Sequence, residues 1–281
     1  MKQFYMQVNW NFHTHSTWCD GKNTIAEMAQ AAHEKGFSAL GFSGHGYCPI
    51  SQEYCMTPEN ETAYRQEVIE LRERYRGVMH IYLGLELEGQ DQRLFPPGQY
   101  DYLINSVHYV EAEGIYYPMD ESAETLQKCI TEGFGGDPYR LIEKFFQLSA
   151  ESACARKPDI IGHFDLVTRY NGAGLFFDEQ SRRYQGIVLE AIREAIKSGG
   201  IFEINSGAIS RGIKNRIYPA MFMLKEICRL GGKMILSSDA HRAKHLDFAF
   251  PLMEQLLKEA GFRTSMCLTE HGWEEIALPG C

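Results

Sequence analysis

Long apolar runs are missing from this sequence. None approaches the roughly 18 residues that a membrane-spanning helix requires, and residues 1–7 lack the apolar core of a secretory signal peptide. We therefore expect a soluble, cytoplasmic protein with no membrane partner. The 281 residues, 44% of them apolar, can bury a large core, and we predict a single domain that spans residues 1–281.

Paired cysteine motifs are also missing. None of the eight cysteines stands in a Cys-x-x-Cys pair, and a chain of this length does not depend on disulfides for its stability. We expect reduced thiols that are mostly buried. Cys19 follows two closely spaced histidines, but no activating partner is near it in the sequence, so we expect neither a metal ligand nor a nucleophile there.

An excess of positive charge is the third feature that the sequence lacks. The chain carries 28 lysines and arginines against 37 aspartates and glutamates, which gives a net charge of −9. Proteins that bind the phosphate backbone of nucleic acids rely on clustered lysine and arginine, so we expect no nucleic-acid partner. A small anionic ligand would have to be held by local positive charge. The oligomeric state stays open.

Strand-like and helix-like segments alternate along the chain. Short apolar runs predict seven strands, at residues 6–10, 37–43, 79–87, 100–106, 159–163, 201–204 and 233–236. Amphipathic stretches and capping signals predict helices at residues 24–36, 57–76, 121–132, 137–154, 178–198 and 218–230, and long loops at 46–57, 88–100 and 111–120. Buried strands that alternate with helices are typical of a parallel sheet, and the length suits a closed α/β barrel.

His13 and His15 follow the first predicted strand as a His-x-His pair. Positions i and i+2 of a strand point to the same face, so both imidazoles can converge on one metal ion, and Asp20 can reach it from the following loop. The pair alone is weak evidence, because ten histidines in a chain of this length produce one by chance about a third of the time. Partners at other strand ends are needed.

Histidines and carboxylates do follow most of the other predicted strands. The candidate metal ligands are His13, His15, Asp20, His45, Glu86, His108, His163, Asp239 and His241. The carboxyl ends of parallel strands form one rim of a barrel, which is where the active sites of such barrels lie. Six of the ten histidines occur at such ends, so chance placement explains them poorly. Nine nitrogen and oxygen ligands are too many for one ion and predict two or three divalent metals.

These motifs, complete and in order from residue 11 to about residue 245, resemble those of the PHP (polymerase and histidinol phosphatase) superfamily. The resemblance implies a distorted (β/α)7, TIM-like barrel with a trinuclear site at the C-terminal ends of its strands. It implies one ligand set for each metal, namely His13, His15, Glu86 and Asp239 for the first, Glu86, His108 and His163 for the second, and Asp20, His45 and His241 for the third. Zinc, iron and manganese are the candidate ions. Asp20, a hard oxygen ligand where some relatives have histidine, favours iron or manganese in the third set.

Free-standing PHP proteins of this length resemble histidinol-phosphate phosphatases. The resemblance therefore implies hydrolysis of L-histidinol phosphate to L-histidinol and phosphate, a step of histidine biosynthesis. Phosphate monoesters hydrolyse very slowly in water, and a hydroxide that bridges two metals can attack phosphorus near neutral pH. Glu86 is the expected bridge, and Asp239 and His241 complete the expected catalytic set. Glu88 lies on the same strand face as Glu86, and a metal would explain at least one of these two carboxylates.

Basic residues that follow later strand ends are the candidates for substrate binding. Three divalent ions against three carboxylates leave a locally positive site that suits a phosphate dianion. Arg169, Arg211 and Arg216 are predicted to hold it, since a guanidinium can grip phosphate with two hydrogen bonds, and the resemblance supports Arg169 and Arg211 in this role. Lys214 is more simply a solvated basic residue.

Two other readings stay open. The chain could be a PHP phosphoesterase that acts on other small phosphomonoesters, on nucleotides or on single-stranded nucleic acid ends. A nuclease is expected to show a basic groove with aromatic platforms, and this acidic sequence shows none. A metal-stabilised module without catalysis would be expected to lack some of the ligands, and none is missing.

Overall fold

The computed structural model describes residues 8–51, 53–213 and 215–281. Its described strands are β1 (Trp10–Asn11), β2 (Ala39–Phe42), β3 (His80–Glu88), β4 (Tyr102–Ser106), β5 (Tyr109–Ala112), β6 (Ile115–Pro118), β7 (Ile160–Ile161), β8 (Ile201–Asn205), β9 (Met234–Ser237), β10 (Thr264–Thr269) and β11 (Gly272–Ala277). Its described α-helices are α1 (Ile25–Glu34), α2 (Pro58–Arg74), α3 (Ala123–Lys128), α4 (Pro138–Arg156), α5 (Arg182–Ala195), α6 (Gly207–Ser210), α7 (Met221–Arg229) and α8 (Phe250–Ala260). Residues 6 and 7 of the first predicted strand, and Lys214, lie outside the described residues.

Seven parallel strands form the central sheet, in the order β1-β2-β3-β4-β7-β8-β9. The sheet closes where the backbone after β1 meets the backbone after β9. There the amide of His15 donates to the carbonyl of Ala240 at 2.9 Å, and the amide of Ala240 donates to the carbonyl of His13 at 3.2 Å. The predicted α/β barrel of seven parallel strands is thus confirmed, and its closure lies among the candidate ligands.

Helix α1 forms as its sequence predicts. The Thr24 side chain accepts a hydrogen bond from the Glu27 amide at 3.2 Å, and the Glu27 carboxylate accepts one from the Thr24 amide at 2.9 Å, which completes the predicted capping box. The predicted apolar stripe, which includes Ile25 and Met28, is buried. Packing of this stripe against the barrel fixes the loop between β1 and α1, which carries Asp20.

The prediction of a long loop at residues 111–120 is wrong in part. Strands β5 and β6 form an antiparallel hairpin there. Its turn is Glu113-Gly114, with φ angles of 52° and 78°. Two consecutive residues with positive φ give the tight turn whose twist matches paired strands. The hairpin continues directly from β4 and sets its far end, Asp120, beside the barrel rim.

Two predicted helices begin later than expected. Helix α5 starts at Arg182 rather than at residue 178, because the side chain of Ser181 caps it by accepting a hydrogen bond from the Tyr184 amide at 3.2 Å. Helix α7 starts at Met221 rather than at residue 218. Tyr218 instead exchanges two backbone hydrogen bonds with Asn205, of 2.7 and 2.9 Å, which holds it in extended backbone.

A C-terminal hairpin of β10 and β11, which no sequence pattern indicated, packs against the N-terminal ends of the barrel strands. The Trp273 ring lies 5.6 Å from that of Phe12 and 6.3 Å from that of Tyr102, and both of these rings are buried. Trp273 Nε1 donates to Asp159 Oδ1 at 3.0 Å, just before β7. The described helices include none with the length and apolar character that crossing a membrane requires.

Candidate metal centre

Glu86, at the end of β3, lies at the centre of the barrel rim and is buried. Its Oε2 atom is 3.2 Å from His13 Nε2 and 3.0 Å from His45 Nδ1. Its Oε1 atom is 3.2 Å from His163 Nε2 and 3.6 Å from His108 Nε2. Oε2 also lies 3.5 Å from His15 Nε2, so one carboxylate oxygen faces three histidines and the other faces two. A carboxylate that bridges two metals requires such an arrangement.

A second carboxylate, Asp20, lies on the loop after β1 and faces three histidines. Its Oδ2 atom is 3.0 Å from His241 Nε2, and its Oδ1 atom is 3.7 Å from His15 Nδ1 and 3.8 Å from His45 Nε2. Asp239, after β9, completes the rim, with Oδ1 3.2 Å from His15 Nε2. The structure thus brings all nine candidate ligands to one rim.

Donor atoms within 4.8 Å of one another fall into three groups. These groups are His15, Asp20, His45 and His241, then His13, His15 and Glu86, and finally His45, Glu86 and His108. These groups match the expected sets in part. Asp239 falls outside all three groups, His15 also joins the third set, and His45 rather than His163 stands with Glu86 and His108. His163 nevertheless faces the same Glu86 oxygen as His108 does.

Several of these atoms are buried without a hydrogen-bond partner among the described residues. They are His13 Nε2, His15 Nε2, Asp20 Oδ1 and Glu86 Oε2. A buried polar atom that lacks a partner costs stability, and four such atoms within one cluster indicate that a cation belongs between them. Imidazole nitrogens together with carboxylate oxygens suit divalent zinc, iron or manganese.

The same contacts determine the charge state of two carboxyl groups in the cluster, Glu86 and Asp239. Burial alone would raise the pKa of the Glu86 carboxyl, but His13 and His45 hold that pKa well below its ordinary value. Burial likewise opposes ionisation of Asp239, and the neighbouring Arg211 and His13 hold its pKa well below the ordinary range. Both carboxyl groups are therefore anionic, as metal ligands must be.

Two further carboxylates hold the histidines from behind. Glu203, on β8, has its Oε2 atom 2.8 Å from His13 Nδ1, and its Oε1 atom accepts from the His163 amide at 2.5 Å. Glu88 Oε2 lies 3.1 Å from His108 Nδ1 and accepts from the His108 amide at 3.0 Å. A carboxylate on the far nitrogen fixes the tautomer and ring orientation of a metal-binding histidine.

Sequence reasoning missed Glu203 altogether. The signal that could have found it is a carboxylate inside the buried strand Ile-Phe-Glu-Ile-Asn, where an unpaired charge is costly. Burial would raise the pKa of Glu203, and His13 outweighs burial and lowers that pKa.

The Glu88 carboxylate contacts the candidate ligand His108 from behind, so it needs no metal of its own.

The cysteines are all free thiols, as predicted, but they are less buried than predicted. Three of the eight are buried, namely Cys48, Cys129 and Cys267, four are partly exposed and Cys281 is exposed. Cys19 Sγ lies 3.5 Å from His15 Nδ1. Burial raises the pKa of the Cys19 thiol to about 12, so this side chain is a neutral thiol and a poor nucleophile at neutral pH.

A cavity of about 650 Å³ opens directly above the metal ligands. Two of the predicted substrate-binding arginines, Arg169 and Arg211, line it. Arg211 Nη2 lies 3.0 Å from Asp239 Oδ2, and Arg169 Nη1 lies 3.3 Å from Asp120 Oδ2. Basic groups that the sequence analysis did not select also line the cavity, namely Lys22, Arg242, Lys244 and His245.

The structure places Arg216 apart from the other two predicted substrate-binding arginines. It is not among the described residues that line this cavity. Arg216 Nη1 pairs with Asp165 Oδ2 at 3.1 Å, and Nη2 pairs with Glu179. Asp165 is fully buried, so removal of the Arg216 guanidinium would leave it without a charged partner.

The fold and the site together define a class of protein, the α/β barrels whose strand ends carry histidines and carboxylates suited to divalent metals. The family model of the PHP domain matches residues 11–207 of the sequence. The chain belongs to the PHP domain family. The family resemblance expected from the ligand motifs is thereby confirmed.

Relatives of the chain extend over nearly its whole length. It is 27% identical over 280 residues to the probable histidinol-phosphatase of Schizosaccharomyces pombe. The match covers 92% of this chain and 89% of that protein. It is 26% identical over 259 residues to the histidinol-phosphatase of Bacillus subtilis, which covers 85% of this chain and 95% of the relative. The crystal structure of histidinol phosphate phosphatase from Lactococcus lactis, complexed with zinc, L-histidinol and phosphate, matches the fold with a TM-score of 0.71 at 22% identity, over 95% of this chain and 99% of that one.

Proposed function

We propose that this protein is a metal-dependent histidinol-phosphate phosphatase, which hydrolyses L-histidinol phosphate to L-histidinol and inorganic phosphate. Family membership and the full-length relatives support this function. The observation that carries it is the position of Glu86, whose two oxygens face separate groups of histidines at the floor of a cavity lined by Arg169 and Arg211. A metal pair beneath two guanidinium groups suits a phosphate monoester.

We propose two or three divalent ions in the ligand sets that the family resemblance implied. His163 belongs with Glu86 and His108, since the rings of His163 and His108 face the same oxygen of Glu86. His45 lies between Glu86 and Asp20, with one nitrogen 3.0 Å from the former and the other 3.8 Å from the latter. The oxygen ligand Asp20 favours iron or manganese in its set, and the histidine-rich sets suit zinc.

Divalent ions bound there would polarise a water molecule and neutralise negative charge on the phosphoryl group. The protein would orient the substrate, and Arg169 and Arg211 would bind its phosphate group and so form the phosphate grip. Arg169 and Arg211 both line the cavity, and each keeps a buried Nε with no hydrogen-bond partner among the described residues, which supports their role in binding phosphate. Arg211 also contacts Asp239, and it thereby links the phosphate grip to a metal ligand. Glu203 orients the ring of His13, and Glu88 orients the ring of His108.

The test is a substrate panel assayed with purified protein that carries its metals. It contains L-histidinol phosphate, glycerol phosphate, 4-nitrophenyl phosphate, a nucleoside monophosphate and a single-stranded oligonucleotide. We expect kcat/KM for L-histidinol phosphate to exceed that for every other compound by roughly a hundredfold or more, because only that substrate uses all contacts of the cavity. Preferential hydrolysis of the nucleotide or oligonucleotide would refute the proposal and favour a nuclease.

A further inference from the structure

The cavity above the metal centre is charged differently on its two sides. One wall carries Lys22, Arg242 and Lys244, from the segments that follow β1 and β9. Hydrogen bonds join these segments, since the Lys22 amide donates to the His241 carbonyl at 2.8 Å and the Ala243 amide donates to Asn23 Oδ1 at 3.0 Å. This basic wall favours an anionic group.

The opposite wall carries a single carboxylate, Asp120, which follows the β5–β6 hairpin. Four carboxylates line the described part of the cavity, and the other three, Asp20, Glu86 and Asp239, are in the proposed ligand sets. Asp120 is therefore the one acidic side chain among the described lining residues that is left for a ligand. Its backbone carbonyl accepts from the Tyr170 hydroxyl at 3.1 Å, which fixes its position.

Asp120 is also adjacent to the proposed phosphate grip. Its Oδ2 atom lies 3.3 Å from Arg169 Nη1, and its side chain keeps about a quarter of its surface exposed, at 24%. A phosphate held by Arg169 would place the carbon chain of its ester next to Asp120. Tyr54 and Leu166 also line the cavity.

We propose that Asp120 recognises a cationic group of the substrate and restricts the enzyme to phosphomonoesters that carry an ammonium group close to the ester. The inference rests on the proposed function, because L-histidinol phosphate carries its ammonium group on the carbon next to the phosphoester carbon. An amine entering a cavity lined by arginines, lysines and metals is repelled. A carboxylate beside the phosphate grip removes that repulsion and adds a charge-assisted hydrogen bond.

The competing explanation is that Asp120 only positions Arg169. The two roles differ in their dependence on substrate. A positioning role affects every phosphomonoester equally, whereas cation recognition affects only those that carry an amine. The discriminating quantity is the ratio of kcat/KM for L-histidinol phosphate to kcat/KM for 4-nitrophenyl phosphate, which has no amine.

The experiment measures that ratio for the parent and for Asp120→Asn, with metal content and thermal melting of both proteins. Asparagine keeps an oxygen for Arg169 and removes the charge. We expect kcat/KM for L-histidinol phosphate to fall by roughly tenfold to a hundredfold, with 4-nitrophenyl phosphate unchanged. Inhibition by L-histidinol should weaken by a similar factor and inhibition by inorganic phosphate should not. Asp120→Glu should restore part of the ratio.

The matched control is Asp137→Asn, since Asp137 pairs with Arg183 at 2.9 Å in the same way but is not among the described residues that line the cavity. It should leave the ratio unchanged. Parallel losses on both substrates in Asp120→Asn, or no loss on either, would overturn the recognition role.

Failure of the proposed function would be visible separately, as a parent enzyme that hydrolyses 4-nitrophenyl phosphate but not L-histidinol phosphate. The pair ethanolamine phosphate and ethyl phosphate then tests Asp120 alone. A preference for the amine that falls in Asp120→Asn supports the recognition role, and an unchanged ratio contradicts it.

Discussion

His13 Nδ1 lies 2.8 Å from Glu203 Oε2, and both side chains are completely buried. The opposite nitrogen of the same ring faces Glu86 Oε2 at 3.2 Å. The ring is thus held between a carboxylate that orients it and the proposed metal bridge. Each candidate metal needs such support, because a histidine that can rotate loses part of its binding energy as entropy.

Glu203→Gln should weaken metal binding without removing a ligand. We expect the affinity for the first metal, or the activity at limiting metal, to fall by roughly tenfold to a hundredfold. The measurement is a metal titration of the chelator-treated protein. Glu254→Gln is the matched control, since Glu254 is a buried carboxylate that accepts from the Val8 amide at 3.0 Å, outside the site. Equal effects of the two substitutions would contradict the supporting role of Glu203.

The protein as isolated should hold two or three divalent ions per chain. Chelation should abolish activity and lower the melting temperature, because ions that bind only the folded state stabilise it by mass action. Re-addition of zinc, iron or manganese, each alone, identifies the ion that restores activity. Elemental analysis that finds less than one ion per chain in fully active protein would be incompatible with the proposed centre.

Glu86→Gln and Glu88→Gln separate the bridge from a supporting carboxylate. Glu86 faces both groups of histidines, so we expect its amide variant to lose several orders of magnitude in kcat. Glu88 contacts the back of His108, so its amide variant should lose roughly tenfold to a hundredfold. Metal content and steady-state kinetics check both values. Equal losses would mean that the bridge has been assigned to the wrong carboxylate.

Arginine substitutions should distinguish phosphate binding from structural ion pairing. Arg169→Ala and Arg211→Ala each remove charge-assisted hydrogen bonds of about 1.5 to 3 kcal/mol, which is roughly ten- to a hundredfold in kcat/KM. Lysine at either position should recover only part of the loss, because a point charge lacks the planar fork.

Arg216→Ala supplies the contrast for these two variants. It leaves the buried Asp165 without its partner, so the melting temperature should fall while kcat/KM for the remaining folded enzyme stays near the parent value. A larger kinetic loss for Arg216→Ala than for Arg169→Ala would return Arg216 to the substrate site.

The barrel and the position of the candidate ligands could be predicted from the sequence because both depend on local patterns. Each strand is a short apolar run, and each candidate ligand follows a strand end, so their meeting on one rim follows from the fold. Glu203 could not be found in this way. It lies within β8, and its role depends on His13, which the chain brings near only by closing the barrel.

Two other features depend on contacts that sequence periodicity does not record. The β5–β6 hairpin depends on the positive φ angles of Glu113 and Gly114, and glutamate is an uncommon residue for that conformation. Arg211 and Arg216 stand five positions apart and each pairs with a buried aspartate, but among the described lining residues of the cavity only Arg211 is found. Long-range pairing of charges therefore limits what sequence alone can assign.

Closure of the barrel between Thr14 and Ala240 bears on how the protein acquires its metals during synthesis. The arm that carries His13 and His15 leaves the ribosome first, and Asp239 and His241 leave it after nearly all of the chain has been made. Contacts between such distant segments form slowly, since a very long loop must close. We expect a nascent chain that ends before residue 239 to release zinc to a chelator readily. The same chain extended past residue 241 should retain it, so that metal retention reports completed folding.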